Sequence, residues 1–288
     1  MRNKDYLNIT HNKFIDKLDS NIDRSDALNF RLKCRSGYTG NNLGHCEDFV
    51  HANYVSIPKK YAFDFLVFCQ RNPKACPLLE VTEEGSYQPN IVFNQEIDLR
   101  TDIAQYRIYE YGKLTNDHVT DVIKFWKEDL VSFIFGCSYS FDYILTISGV
   151  EQRRLKENKY AALYNTNIPC RSSGIFQGNY VCSTRAIKKI DIPKLYEITS
   201  KCEFAHGTPL HIGNPEEIGI DIKNPINKCE MDLLEDEEYV FTACGVTVDN
   251  IFKKCEEIDL ILCVGLEQTL VTDVKTIELY EKHHSGNK

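Results

Sequence analysis

Residues 129–149 read DLVSFIFGCSYSFDYILTISG. An apolar run, Leu130 to Phe135, stops at Gly136-Cys137-Ser138, and apolar positions with helical spacing (Phe141, Ile144, Leu145) follow at once. A short continuous apolar run that ends in a turn fits a strand buried on both faces, and Ser138 or Ser140 ahead of Asp142 fits a helix start. The stretch is therefore expected to be strand, tight turn, helix. Such a turn aims backbone N–H groups and the positive end of a helix at the strand end, where an anionic group is favoured. Cys137 would sit there.

The same order recurs at 238–255, EYVFTACGVTVDNIFKKC. Tyr239 to Ala243 is the apolar run, Cys244-Gly245 the turn, Thr247 the candidate N-cap, and Val248, Ile251 and Phe252 the buried helical face. An internal duplication would set two equivalent strand ends on either side of one cleft, as strand ends do in open α/β sheets. The expected fold class is α/β, a two-lobed mixed α/β architecture with a repeated strand-turn-helix unit and a central cleft.

The 288-residue chain is 42% hydrophobic, enough to bury a large core in one domain or two lobes. Its formal charge of −8, with no dense Lys/Arg block, argues against nucleic acid or an acidic membrane surface as partner. A small molecule or a protein is the expected partner. No stretch approaches the length of an apolar membrane span, and the N-terminal residues lack a secretory apolar core. A cytoplasmic location is expected, with mitochondria as the alternative. Twelve cysteines without a secretory signal are expected as reduced thiols, and none are spaced CxxC, so no metal site is expected. No Gly-rich nucleotide fingerprint follows a strand, so no NAD, ATP or other cofactor is expected.

Residues 1–35 read as a polar N-terminal extension, either a surface helix or a partly ordered arm. Residues 36–280 form the main domain, with about 160–235 as the smaller lobe, and 281–288 a flexible tail. Strands are expected at His51 to Ile57, Leu78 to Val81, Tyr106 to Tyr109 and Tyr180 to Arg185. Helices are expected after Pro58, after Asp117 (Val119, Val122, Ile123 and Trp126 at helical spacing) and from Pro193 to Thr199.

Candidate site residues follow from chemistry. Arg100 and Arg185 could hold a carboxylate in a fork. His206 and His211, in the stretch from Ala205 to Asp221 that is rich in His, Gly and Pro, could transfer a proton. Five residues apart, they would face opposite ways in an ideal strand and need a bend to share a site. Asp102, Ser138, Asn165, Cys244, Gly245, Asp221 and Asp273 are candidate substrate contacts, and Asn53 could line the cleft. Cys137 is a candidate catalytic thiol, which a helix start would acidify and burial would oppose.

Seven pieces resemble the D-glutamate cyclase family, whose members are also described as hydro-lyases, and occur in its order. They are FCQRNPKACPLL (68–79), DLRTD (98–102), DLVSFIFGCSYSFDYIL (129–145), YNTNIPC (164–170), HGTPLHIGNPEEIGI (206–220), ACGVT (243–247) and LVTD (270–273). The resemblance spans about Gly37 to Asp273. It implies a two-lobed α/β fold and conversion of D-glutamate to 5-oxo-D-proline with loss of water. Thr242 and Val248 stand where the family usually has Trp and Pro. Val264 stands where it usually has a His before the last strand. Two alternatives are a binding protein for an amino acid or small dicarboxylate, and a hydro-lyase for another small carboxylate.

Overall fold

The computed structural model describes residues 22–90 and 97–285. The apolar positions Phe14, Ile15 and Leu18 of the expected N-terminal arm lie outside them, as do Gly286 to Lys288. The fold is a mixed α/β architecture of two antiparallel sheets with helices packed on and between them.

The first unit begins with β1 (Phe49–Pro58), buried along its whole length. Pro58 ends it and opens α2 (Lys59–Arg71), whose Phe65, Phe68 and Cys69 face the core. The chain returns as β2 (Leu78–Val81). A hairpin, β3 (Tyr106–Glu110) and β4 (Lys113–Val119), turns at Tyr111 and Gly112, both at positive φ. The central apolar run is β5 (Leu130–Gly136), followed by α3 (Tyr139–Ile147). β5 is buried throughout because alternate residues serve two clusters: Val131, Phe133 and Phe135 join one, Leu130 and Ile134 the other. Full burial of each such aromatic or Leu/Ile side chain stabilises the fold by about 1.5–3 kcal/mol.

The second unit repeats this order. After the single turn α4 (Arg153–Lys156) and the strand β6 (Ala162–Pro169) come β7 (Asn179–Lys188), α5 (Ile192–Ser200), the short β8 (His211–Ile212), β9 (Glu237–Ala243) and α6 (Thr247–Phe252). The strand order β2-β5-β1 of the first sheet matches β8-β9-β7 of the second. The registers also match, Ala52 opposite Gly136 and Cys182 opposite Ala243, one residue before each cysteine. β6 flanks β7, whereas the flank of β1 is supplied by the last strands, β10 (Ile261–Val264) and β11 (Leu270–Lys275). α7 (Thr276–Ser285) follows.

The units interlock. The Phe65 ring of α2 lies 5.0 Å from Phe176 and 5.9 Å from Phe252 of α6. Conversely Phe141, Ile144 and Leu145 of α3 share a cluster with Leu195 and Ile198 of α5. Each turn helix thus packs on the other unit's helix.

Three local expectations are corrected. The helix expected after Asp117 is instead β4 and a single 3-10 turn at Ile123–Phe125, because Arg107 Nε and Nη2 hold the Asp117 carboxylate at 3.0 and 3.2 Å within the hairpin. Thr247 and Ser138 do not cap their helices through their hydroxyls. The tail expected from residue 281 is helical to Ser285.

α1 (Ser25–Arg35), within the stretch expected as a separate extension, buries Ala27, Phe30, Arg31 and Cys34. Arg31 Nη1 donates to the carbonyl of Val271 at 3.0 Å and Nη2 to Asp273 at 2.8 Å. Among the described residues, no helix is long and apolar enough to cross a membrane, no group of three or more His, Cys, Asp or Glu could hold a metal ion, and all twelve cysteines are free thiols.

Candidate active site

The two cysteine turns are built alike to the level of single hydrogen bonds. Cys137 N–H donates to the carbonyl of His51 on β1, and Cys244 N–H to that of Val181 on β7, both at 3.0 Å. Three residues on, a hydroxyl completes each frame. Ser140 Oγ accepts from His51 N–H at 3.0 Å and donates to its carbonyl at 3.3 Å. Thr247 Oγ1 likewise accepts from Val181 N–H at 3.0 Å and lies 3.3 Å from its carbonyl, but donates over a shorter distance, 2.7 Å, to the carbonyl of Cys244. Five residues after each cysteine stands an aspartate held by an arginine from the other unit or sheet edge. Arg185 of β7 grips Asp142 through Nε at 2.9 Å and Nη2 at 3.1 Å, with Arg154 on the same carboxylate. Arg107 of β3 holds Asp249 through Nη1 at 2.9 Å.

The turns face one cleft. Its lining includes Cys137, Ser138 and Tyr139 from the first, Cys244, Gly245 and Val246 from the second, and Asn53 and Ser183 at matching positions of β1 and β7. The wall is closed by residues 263–269, from Cys263 to Thr269, and the space measures about 650 Å³ including its open mouth. Asn53 bridges the halves. Its Nδ2 donates to the carbonyl of Gly136 at 3.2 Å, and a Cβ on Gly245 would lie 2.4 Å from the same nitrogen, so Gly245 is required for this approach.

Both thiols are half-buried and remain protonated. Burial pushes Cys137 up to about 11 and Cys244 up to about 12, against the N–H of Tyr139 and of Val246 beside the respective sulfurs. Each cysteine is also raised by the aspartate of its own turn and lowered by Arg185. The two lie close enough that a charge on Cys137 raises Cys244. Most N–H groups at the two helix starts are taken: Ser140 donates to the carbonyl of Cys137, Thr247 to that of Cys244, Val248 to that of Gly245 and Asp249 to that of Val246, all at 3.0–3.1 Å. This leaves the N–H groups of Ser138 and Gly245 in the cleft lining without a backbone acceptor among the described residues.

Of the candidates read from the sequence, Cys137, Ser138, Cys244 and Gly245 come together here, with Asn53. Arg185 is buried beneath them; its Nη1 donates to Ser183 Oγ at 3.1 Å, so its charge reaches the cleft through that hydroxyl rather than by direct contact. His206 is buried where the loops preceding β2 and β8 meet, Nδ1 donating to the carbonyl of Lys74 at 2.7 Å. Lys74 Nζ answers with Thr208 O and Oγ1, at 2.7 and 2.8 Å. Burial lowers His206 to about 4, and its Nε2 has no partner among the described residues. His211 is elsewhere, on β8, its Nε2 on the carbonyl of Asn214 at 2.9 Å. The two histidines share no site.

The remaining candidates lie outside the cleft. Arg100 grips Asp98 through Nε at 2.9 Å and stacks 3.4 Å over the Tyr87 ring. Asp102 is buried against Arg31 and Arg35, and Asp273 against Arg31. Asn165 accepts from Asn250, and Asp221 from Lys223 N–H on an exposed loop.

Sequence reasoning missed Asp249, Ser140 and Thr247 as a matched set, although CSYSFDYI and CGVTVDNI align as Cys-x-x-Ser/Thr-x-Asp-x-Ile. It also missed Glu267, which lines the cleft at φ +65°, accepts from Asn227 Nδ2 at 2.7 Å, and is raised above the ordinary carboxylate range by burial.

The profile of the D-glutamate cyclase family matches residues 131–273, which contain both cysteine turns. Relatives carry the match further. A protein of Oceanobacillus iheyensis named "Putative hydro-lyase" is 44% identical over 74% of this chain and 84% of its own length. One of Staphylococcus haemolyticus with the same description is 41% identical over 90% and 99%. The chain belongs to the D-glutamate cyclase family. Among solved structures, a nitrogen repressor-like protein from Methanococcus jannaschii aligns at 14% identity over 87% of this chain and 97% of its own, with a TM-score of 0.35, too loose a likeness to argue from.

Proposed function

We propose that this family member is a hydro-lyase that cyclises D-glutamate to 5-oxo-D-proline and water in the cleft between the two cysteine turns. The observation that carries it is the duplication itself. Two equivalent turns, each placing one N–H without a backbone acceptor, that of Ser138 or of Gly245, in the lining of one small cleft, suit a ligand with two carboxylates joined by a short chain. Glutamate is such a ligand. Arg185 beneath Ser183 adds positive potential without offering a side-chain fork, so the carboxylates would be held by backbone N–H groups.

Ring closure forms a bond from the amine nitrogen to the γ-carboxyl carbon and breaks one carbon–oxygen bond. Two ammonium protons leave with that oxygen as water. Glu267 is suited to relay one of them, since burial keeps its carboxyl protonated to a higher pH than usual and it lies in the wall of the cleft. Val264, in the place of the family's usual His, is an apolar part of the same wall. The N–H groups of the turns would stabilise the negative charge that builds on the γ-carboxyl oxygens.

The test is incubation of the purified protein with D-glutamate, following 5-oxo-D-proline by chiral chromatography, beside Glu267→Gln. Product from the parent and at least a hundredfold less from the variant supports this assignment. Saturable D-glutamate binding without product would leave an amino-acid binding protein, an alternative that the apolar Val264 wall favours.

A further inference from the structure

We infer that Cys137 and Cys244 act as a pair of acid–base groups on opposite walls of the cleft, moving the α-proton of a bound amino or imino acid from one face to the other and so inverting its configuration. This activity goes beyond the dehydration proposed above and rests on the same cleft. Four observations carry it. The thiols come from different units yet occupy the same position in matched hydrogen-bond frames, so the duplication places them as counterparts about one central space. Both line that space. Each is followed by a lining residue, Ser138 or Gly245, whose N–H has no backbone acceptor among the described residues and can hold a carboxylate, the group that must accept electron density when a neighbouring carbon–hydrogen bond breaks. Asn53, tied to Gly136 and pressed against Gly245, fixes the two walls relative to one another.

The step balances within the pair. One cysteine, as thiolate, takes the α-hydrogen as its carbon–hydrogen bond breaks, and the electrons spread into the carboxylate. The opposite thiol then gives its proton to the other face of the carbon and becomes the thiolate. Nothing is oxidised, and no co-reactant is consumed. The reverse transfer starts from the opposite enantiomer with the roles exchanged, which is what two equivalent walls permit. Because burial pushes the two thiols up to about 11 and 12, the thiolate fraction, and with it the rate, climbs about tenfold per pH unit from 7 to 10.

The experiment incubates the protein in heavy water with D-glutamate and, separately, 5-oxo-D-proline, following α-deuterium by NMR and the enantiomers by chiral chromatography, with Cys137→Ala, Cys244→Ala and the two Cys→Ser variants alongside and a thermal melt on each. Deuterium at the α-carbon and the opposite enantiomer are expected from the parent. Either single substitution should cut inversion at least a hundredfold, while exchange of the one enantiomer facing the remaining thiol persists. Cyclisation of D-glutamate with no α-deuterium would overturn the thiol pair and leave the hydro-lyase standing. Exchange without cyclisation would support the pair and overturn the hydro-lyase. No exchange from either compound, or inversion that survives unchanged in well-folded single variants, overturns the pair.

Discussion

Replacing Ser140 by Ala and, in a separate protein, Thr247 by Val probes the duplicated frame at its one side-chain joint. Each hydroxyl accepts a backbone N–H at 3.0 Å, from His51 or Val181; Ser140 donates to the carbonyl of His51, Thr247 to that of Cys244. Each of these carbonyls keeps a second donor at 3.0 Å, the N–H of Cys137 or of Thr247, so it stays satisfied when the hydroxyl goes. The N–H does not. A buried donor left without an acceptor costs about 1–3 kcal/mol. Thr247→Val keeps the side-chain shape, and Ser140→Ala removes a single atom, so cavity effects are small. With a urea slope of about 3 kcal/mol/M, the midpoint should fall by about 0.3–1 M in each variant, with the slope unchanged. The frames are equivalent, so the two losses should agree within about 0.5 kcal/mol, the usual scatter between independent sites. A variant indistinguishable from the parent, or a pair differing by several-fold, would refute the equivalence of the turns. D-Glutamate binding measured by calorimetry should weaken in both, since both turns lose the strut that aims their N–H groups.

Gly245→Ala sets a Cβ 2.4 Å from Asn53 Nδ2, so it should cost about 1–3 kcal/mol by urea unfolding and weaken ligand binding more than Asn53→Ala does. Asp142→Ala strips the counter-charge from Arg185 and Arg154 in a buried site and should destabilise by about 3–5 kcal/mol in the same assay. Arg100→Ala, whose side chain is spent on Asp98 and Tyr87, should leave turnover of D-glutamate within twofold of the parent by chiral chromatography. His51 and His206 are both lowered to about 4, so the unfolded chain binds more protons than the folded one between about pH 4 and 6.5. Stability is full above pH 6.5 and falls through that window, by about 3 kcal/mol per histidine. Urea midpoints at pH 7, 5.5 and 4.5 should show it, and His206→Gln should flatten the slope by about half.

The strand-turn-helix units were legible in the sequence because their signals are local: a short, largely apolar run ending at a turn with glycine beside cysteine, then helical spacing. Helix and strand after Pro58 and at Tyr180 to Arg185 were legible for the same reason. The helix expected after Asp117 is absent, since Val119, Val122 and Trp126 mimic a helical face while Arg107, across the hairpin on β3, holds Asp117 in a strand. Polar candidates fared by location. Asp102, Asp273 and Arg185 have the composition of a binding site, but sequence cannot reveal that an arginine and an aspartate hundreds of residues apart are spent on each other, as Arg31 and Asp273 are. His206 looked like a proton carrier for its residue type alone; its burial between two loops is a tertiary fact. The matched Asp142 and Asp249 were legible in principle, by aligning the two units beyond their cysteines.

The first sheet depends on the end of the chain. β10 lies between β1 and β3, and β11 also pairs with β1, so residues 261–275 fill its middle. On the ribosome the second sheet, all of whose strands fall between residues 162 and 243, can close first, while the earlier-made half waits in two pieces, β2-β5-β1 and β3-β4. These pairings join residues some two hundred positions apart, so their loop-closure cost falls late and folding is slow. The buried apolar length of β1 is exposed along one edge until then, which makes the nascent first half, rather than the finished protein, the species that chaperones would need to guard.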